Sequence, residues 1–192
     1  GRGINPAIAH GVSRHRIRRG EPVLFDYTFA TDGYVVDQAR IFSIGKLPDK
    51  LMRAHGAMLE VQAAVAQAAK PGATGDELFR LTMDIVNQHG YAEKFMGLDK
   101  DRVTFVGHGV GIELDEYPFL AKGQSMLLEA GMTIAIEPMV NIGGPEVKVL
   151  DDDWTAVTTD GTKSAHFEHT VAVTANGPWI LTRPREMQGP SW

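Results

Sequence analysis

Acidic residues stand inside four of this chain's most strand-like segments. Asp26 lies within residues 23–29, Asp37 within 34–42, Glu137 within 132–140 and Glu168 within 167–174. A carboxylate in an apolar run is costly to bury without a partner, so any fold of this chain must carry these acids to water or to cations. Together with His108 they form five candidate ligands, rich in oxygen and poor in nitrogen. Such a set suits two divalent ions better than one structural zinc. Four carboxylate charges balance two dications, each acid being stabilised by the metal it holds. That arithmetic makes a dinuclear hydrolase the leading expectation.

The first two acids are tied together by local pattern. Asp32-Gly33 separates two alternating segments and has the chemistry of a two-residue hairpin loop. Such a loop sets Asp26 opposite Ala39. Side chains alternate along a strand, so Asp37 falls on the face of Asp26 as its diagonal neighbour. Two acids placed so repel unless a cation lies between them.

Length and composition bound the rest. The 192 residues, 43% of them hydrophobic, suffice for one domain with a real core. No run of eighteen apolar residues occurs, so no helical segment is expected to span a membrane. A net charge of −5 argues against general nucleic-acid binding, and the basic run Arg14-His15-Arg16-Ile17-Arg18-Arg19 reads as a solvated loop. With no cysteine, disulfides, thiolate catalysis and Cys-ligated zinc are excluded. This composition suits a reducing cytoplasm.

Residues 48–70 carry Leu51, Ala54, Met58, Val61, Ala64 and Ala68 at helical spacing, ended by Pro71-Gly72. A second helix is expected over 74–89, opened by Thr74 and carrying Leu78, Leu81, Ile85 and Val86. His55 and His89 on these helices read as surface residues rather than ligands. Strand patterns return at 103–106, 132–140, 146–149, 154–158 and 167–174. Strands, two helices, then strands again imply an α+β sheet with helices on one side. The tail over 183–192 reads as a surface extension beyond a domain of 1–182.

Gly107-His108-Gly109-Val110-Gly111 superficially matches a phosphate loop, but no helix pattern follows to supply anion-binding amides. Glycines flanking His108 instead let other backbone or a substrate approach the imidazole. Pro138 cannot donate to a ladder, which sets Glu137 at a strand end or bulge, free to project into a cleft. Glu168 alternates with Phe167 and is expected to share a face with His166 and Thr170. Taken singly, His108 is often a structural histidine and Glu168 a solvent-facing residue; the combination carries the argument.

The stretches around Asp26 and Asp37, Gly107-His108-Gly109-Val110-Gly111, Ile136-Glu137-Pro138 and Phe167-Glu168-His169-Thr170 resemble the metal-binding motifs of the pita-bread metallopeptidases. That family includes methionine aminopeptidases, Xaa-Pro aminopeptidases, prolidases and creatinase. All five ligand positions match in order, over residues 5 to about 182. Asn5 to His10 is similar to the segment that supplies a substrate-side histidine, here His10. Residues 37–42, with Arg40 and Phe42 after the second aspartate, resemble the prolidase branch, which is favoured; residues 164–170 resemble methionine aminopeptidases.

The resemblance implies a pita-bread fold, a curved antiparallel sheet with helices outside, and two divalent ions (Mn, Co, Fe or Zn). Asp37 and Glu168 would bridge the ions, Asp26 would hold one, and His108 with Glu137 the other. A metal-bridging hydroxide would cleave the N-terminal or Xaa-Pro bond of short peptides, with Glu137 shuttling the proton and His10 and His166 orienting substrate. Peptides or small amides are the expected partners, and a homodimer the expected assembly. Two departures stand out. Where the family places a second histidine seven residues after His108, this chain has Asp115, which when ionised only accepts hydrogen bonds and could hold a substrate ammonium. The family's first helix pair also has no counterpart here, so the chain reads as the larger part of a catalytic domain. Alternative readings are a methionine aminopeptidase, a creatinase-like hydrolase of a non-peptide C–N bond, and an inactive binding module of the same fold.

Overall fold

The first hairpin forms because its turn residues accept positive φ. In the computed structural model, which describes residues 16–98, 102–151 and 156–184, Asp32 and Gly33 have φ of 53° and 84°. These left-handed values suit a tight turn that matches strand twist. They join β1 (Pro22–Thr31) to β2 (Tyr34–Ser43). Asp26 pairs with Ala39 and Thr28 with Asp37, the expected register, so both acids project from one face.

Helix α1 (Asp49–Ala68) starts after Pro48 and α2 (Gly75–Gln88) after Thr74. Thr74 accepts from the Glu77 N–H (3.2 Å) while the Glu77 carboxylate accepts from the Thr74 N–H (2.8 Å), a reciprocal capping box. The buried stripe of α1 is broader than the spacing predicted. Leu51, Ala54, Met58 and Val61 are buried as expected, but Ala57, Gln62, Val65 and Ala66 complete the stripe, while Ala64 and Ala68 are half-buried. The helix is covered on an arc wider than one row of alanines describes. On α2, Leu81 is likewise half-buried, and Phe79 and Thr82 join Leu78, Ile85 and Val86 inside.

Both helices back a four-stranded antiparallel sheet of order β10-β9-β4-β3, built from β3 (Gly107–Gly109), β4 (Thr133–Ile136), β9 (His169–Thr174) and β10 (Gly177–Ile180). The core joins Met58, Val61 and Val65 of α1 and Leu78 and Val86 of α2 to Ile134, Ile136, Val171 and Val173 of the sheet. Smaller ladders pair β5 (Met139–Asn141) with β8 (Ser164–His166), and β6 (Val147–Val149) with β7 (Ala156–Thr158).

Three strand expectations are corrected. The strand expected at 103–106 is a single bridge from Phe105 to Ala121, and regular pairing begins at Gly107, bringing His108 into the sheet. The run over 132–140 breaks after Ile136, because Pro138 has no N–H to give, leaving Glu137 between β4 and β5. The run over 167–174 starts only at His169, with β8 ending at His166, so Phe167 and Glu168 form a break and simple alternation does not place Glu168. Strand β10 had no sequence expectation. The tail over 185–192 lies outside the described residues.

Candidate metal centre

The five candidate ligands reach the centre by three local devices. Asp26 and Asp37 share one face of the hairpin. His108 lies in β3 opposite Ala135, in a place that only flanking glycines permit. A Cβ on Gly107 would come within 2.1 Å of the Ala135 carbonyl, and one on Gly109 within 2.5 Å of the Tyr117 carbonyl. Glu137 and Glu168 occupy the two strand breaks. The Glu137 N–H donates to the Val106 carbonyl (2.9 Å), and the Glu168 N–H donates to the Ala39 carbonyl (3.2 Å).

The outcome is a compact cluster. Ligand atoms of Asp37, His108 and Glu168 all lie within 4.8 Å of one another, and all three residues are buried. His108 Nε2 stands 3.3 Å from Glu137 Oε1 and 3.5 Å from Asp115 Oδ1. His166 Nε2 is 3.8 Å from Glu168 Oε2, an ion-pair distance too long for a hydrogen bond, and that nitrogen has no hydrogen-bond partner. Asp37 Oδ1 is also enclosed without a partner, on a residue only 7% exposed. Asp26 is the most solvent-accessible of the five, yet its charge is felt at Asp37, His166 and Glu168. His10 lies outside the described residues.

The electrostatics are those of an acid cluster short of positive charge. Burial, then the charges of Glu168 and Asp26, push the Asp37 carboxyl up to about 7, with His108 opposing them. Asp26 is raised by desolvation and by Glu137, against the pull of His166. Glu168 is raised chiefly by burial, with His166 opposing and Glu137 and Asp26 adding. Burial disfavours charge on His108, but Glu137, the Gly109 carbonyl and Asp115 outweigh it and raise the imidazole to about 9. Burial likewise opposes charge on His166, and Glu168, Glu137 and Asp26 override it. Each perturbation is one that bound cations would relieve. The donor set therefore fits divalent metal: three buried ligands in mutual reach, two further acids beside them, and a carboxylate oxygen with no protein partner.

Two supporting residues escaped the sequence reading of the site. Thr170 Oγ1 accepts from the Asp37 N–H (3.0 Å) and donates to the Asp37 carbonyl (2.7 Å), clamping β2 to β9. Arg40 donates to the carbonyls of Glu168, Ala39 (2.8 Å) and Thr182 (3.0 Å) and to His169 Nδ1 (2.9 Å), with its guanidinium 4.5 Å from the Phe167 ring centre. The only hint was their position two residues after Glu168 and three after Asp37. His89 is a surface residue paired with Glu60 (2.8 Å), as expected. His55 is not: it is half-buried, packed edge-on to Phe167 with Nδ1 enclosed. A broad groove lined by Phe25, Tyr27, Arg40 and Trp179 lies on the hairpin face opposite the aspartates and includes none of the five candidate ligands.

Comparison with known proteins places this arrangement. The profile of metallopeptidase family M24 matches residues 1–175. The methionine aminopeptidase of Clostridium acetobutylicum is 35% identical over 185 residues, covering 93% of this chain and 71% of that protein. The Xaa-Pro dipeptidase of Lactobacillus helveticus is 37% identical over 169 residues, covering 88% of this chain and 43% of that one. The prolidase of Pyrococcus furiosus superposes with a TM-score of 0.74 at 30% identity, covering 94% of this chain and 47% of that one. This chain thus spans less than half the length of these prolidase-type relatives. Both branches are represented at similar identity, so the prolidase branch favoured above is not separated from the methionine aminopeptidases. The fold is the pita-bread fold, and the chain belongs to metallopeptidase family M24.

Proposed function

We propose that this chain carries the catalytic centre of a dinuclear metallopeptidase that hydrolyses the N-terminal or Xaa-Pro bond of short peptides. The observation that carries this reading is the buried trio Asp37, His108 and Glu168, with ligand atoms within 4.8 Å of one another. Asp37 and Glu168 would bridge the two ions, Asp26 would complete one, and His108 with Glu137 the other. Bound divalent ions supply Lewis acidity and bring the pKa of water down from 15.7 to about 7.

The chain's own groups supply the rest. The Glu137 carboxylate, at a strand break, takes the proton of the attacking water and passes it to the leaving amine, a role worth roughly 10²–10⁴-fold. His166 would donate to the substrate carbonyl oxygen, a reading supported by its Nε2 having no hydrogen-bond partner. His10 is assigned to the substrate side by resemblance. The reading includes a cytoplasmic location, and among the described residues no helix is long and apolar enough to cross a membrane.

The test is metal analysis of purified protein coupled to a panel of Met-Ala, Xaa-Pro and small amide substrates. Hydrolysis lost on chelation, restored by Mn²⁺ or Co²⁺, and reduced at least about 100-fold in Glu137→Gln is expected. Cleavage of Met-Ala but not Xaa-Pro would assign the aminopeptidase branch, and the reverse the prolidase branch. Protein that binds no divalent ion, or loaded protein that cleaves no member of the panel, overturns the proposal.

A further inference from the structure

We infer that Asp115 is a sixth protein ligand, binding the ion held by His108 and Glu137. The inference rests on the dinuclear reading above and goes beyond its five residues.

The imidazole of His108 decides the matter first. Its Nδ1 lies 3.0 Å from the Gly109 carbonyl, a group that only accepts, so Nδ1 carries the hydrogen. In the neutral ring Nε2 is then a bare lone pair. It faces two carboxylate oxygens, Glu137 Oε1 at 3.3 Å and Asp115 Oδ1 at 3.5 Å. Two carboxylate oxygens beside one imidazole nitrogen call for a cation: a proton on Nε2 in the metal-free protein, and a divalent ion in its place when metal binds. A histidine whose other nitrogen is fixed by a carbonyl is also the usual state of a metal ligand.

The spacing agrees. Two protein atoms bound about 2.1 Å from one ion, at angles between octahedral and tetrahedral, sit roughly 3.0–3.5 Å apart. Asp115 meets that spacing from Nε2 as Glu137 does. Backbone holds it there, because the chain after β3 folds back antiparallel. Gly109 and Glu116 exchange N–H···O bonds in both directions (2.9 and 3.0 Å), bringing Asp115 beside His108. The Asp115 side chain is 61% exposed, so it stands on the solvent side of the cluster. The enclosed, unpartnered Asp37 Oδ1 supplies independent evidence that the cluster is aimed at a cation.

The rival role, a contact to the substrate ammonium, acts only when substrate is present. Metal binding to substrate-free protein separates the two. Metal-free wild type and Asp115→Asn are titrated with Mn²⁺ by calorimetry and electron paramagnetic resonance, and with Co²⁺ by visible absorption. Two sites are expected in the wild type. In Asp115→Asn one of them should weaken at least about tenfold, with altered Co²⁺ bands, and Asp115→Glu should recover part of the loss. Equal thermal melts of the metal-free proteins, expected for so exposed a side chain, exclude misfolding as the cause. Two sites of unchanged affinity and unchanged Co²⁺ bands in Asp115→Asn would overturn the sixth ligand and leave the dinuclear reading standing. Wild-type protein that takes up neither ion overturns both.

Discussion

The β1–β2 hairpin carries two of the five candidate ligands and the helix-backed sheet with its strand breaks carries three, yet the two regions are held by different forces. Behind the sheet, α1 and α2 bury Met58, Val61, Leu78 and Val86 against Ile134, Ile136 and Val171. Strand β1 has no buried residue, and β2 buries only Asp37 and Ala39. Apart from Ile41, which packs against the core, what docks the hairpin is a polar seam: the Thr170 clamp on Asp37, Arg40 on the Glu168 carbonyl, the Glu168 N–H on Ala39, and the Val35 N–H on the Gly111 carbonyl (2.6 Å). One part of the site thus stands on a hydrophobic core, while the other hangs mainly from directional bonds. Directional bonds fix register and orientation at modest net stability, which suits a part whose task is to aim two aspartates.

The sharpest way to break this comparison is to truncate one apolar side chain in each region. Met58 is fully buried, so Met58→Ala should cost about 2–5 kcal/mol of unfolding free energy. Phe29 is 53% exposed and stacks, among the described residues, on Tyr27, so Phe29→Ala should stay within about 0.5 kcal/mol. Urea denaturation of the two variants measures both. A loss in Phe29→Ala as large as that in Met58→Ala would mean that apolar packing covers the hairpin in solution, and the contrast would fail.

Next in size is the seam. Thr170→Val keeps the side-chain shape but leaves the Asp37 N–H and carbonyl without their partner in a buried place. Unsatisfied buried groups cost about 1–3 kcal/mol, and valine does not replace a hydroxyl. Hydrogen exchange should show the hairpin amides losing protection while the α1 amides keep theirs. If both regions lose protection equally, the hairpin is not a separately tethered unit.

The same contrast explains what was legible beforehand. Hairpin register, the shared face of Asp26 and Asp37, the capping of α2 and the break at Pro138 follow from short-range rules, because turn chemistry, side-chain alternation and the missing proline N–H act within a few residues. The five candidate ligands were found by motif resemblance, with support from the cost of burying acids in apolar runs. The seam was not legible. Arg40 and Thr170 matter because β2 lies against the break at Glu168, more than a hundred residues away in the chain, and no local pattern announces that contact. Glu168 itself shows the limit: strand alternation correctly paired it with His166, but through a break rather than a continuous strand.

The smallest effect concerns a loop belonging to neither region, and it tests whether the seam alone gives the molecule its polar sensitivity. The Asp160 carboxylate accepts from the Gly144 N–H (2.8 Å), the Thr162 N–H (2.9 Å) and the Thr162 hydroxyl (2.6 Å). The Thr162 hydroxyl, then the Gly144 and Thr162 N–H groups, hold its pKa down at about 2, below the roughly 3.9 of an unfolded aspartate. A group depressed in the folded state lends stability above its unfolded pKa and loses it as pH falls through the folded one. Wild type should therefore lose local order between about pH 4 and pH 2, and Asp160→Asn should flatten that limb. Amide exchange at Gly144 across this window is the readout, with the α1 amides as the internal standard. Should Asp160→Asn instead loosen the hairpin amides at neutral pH, the loop and the seam form one cooperative unit, and the hairpin is not tethered separately from the rest of the sheet.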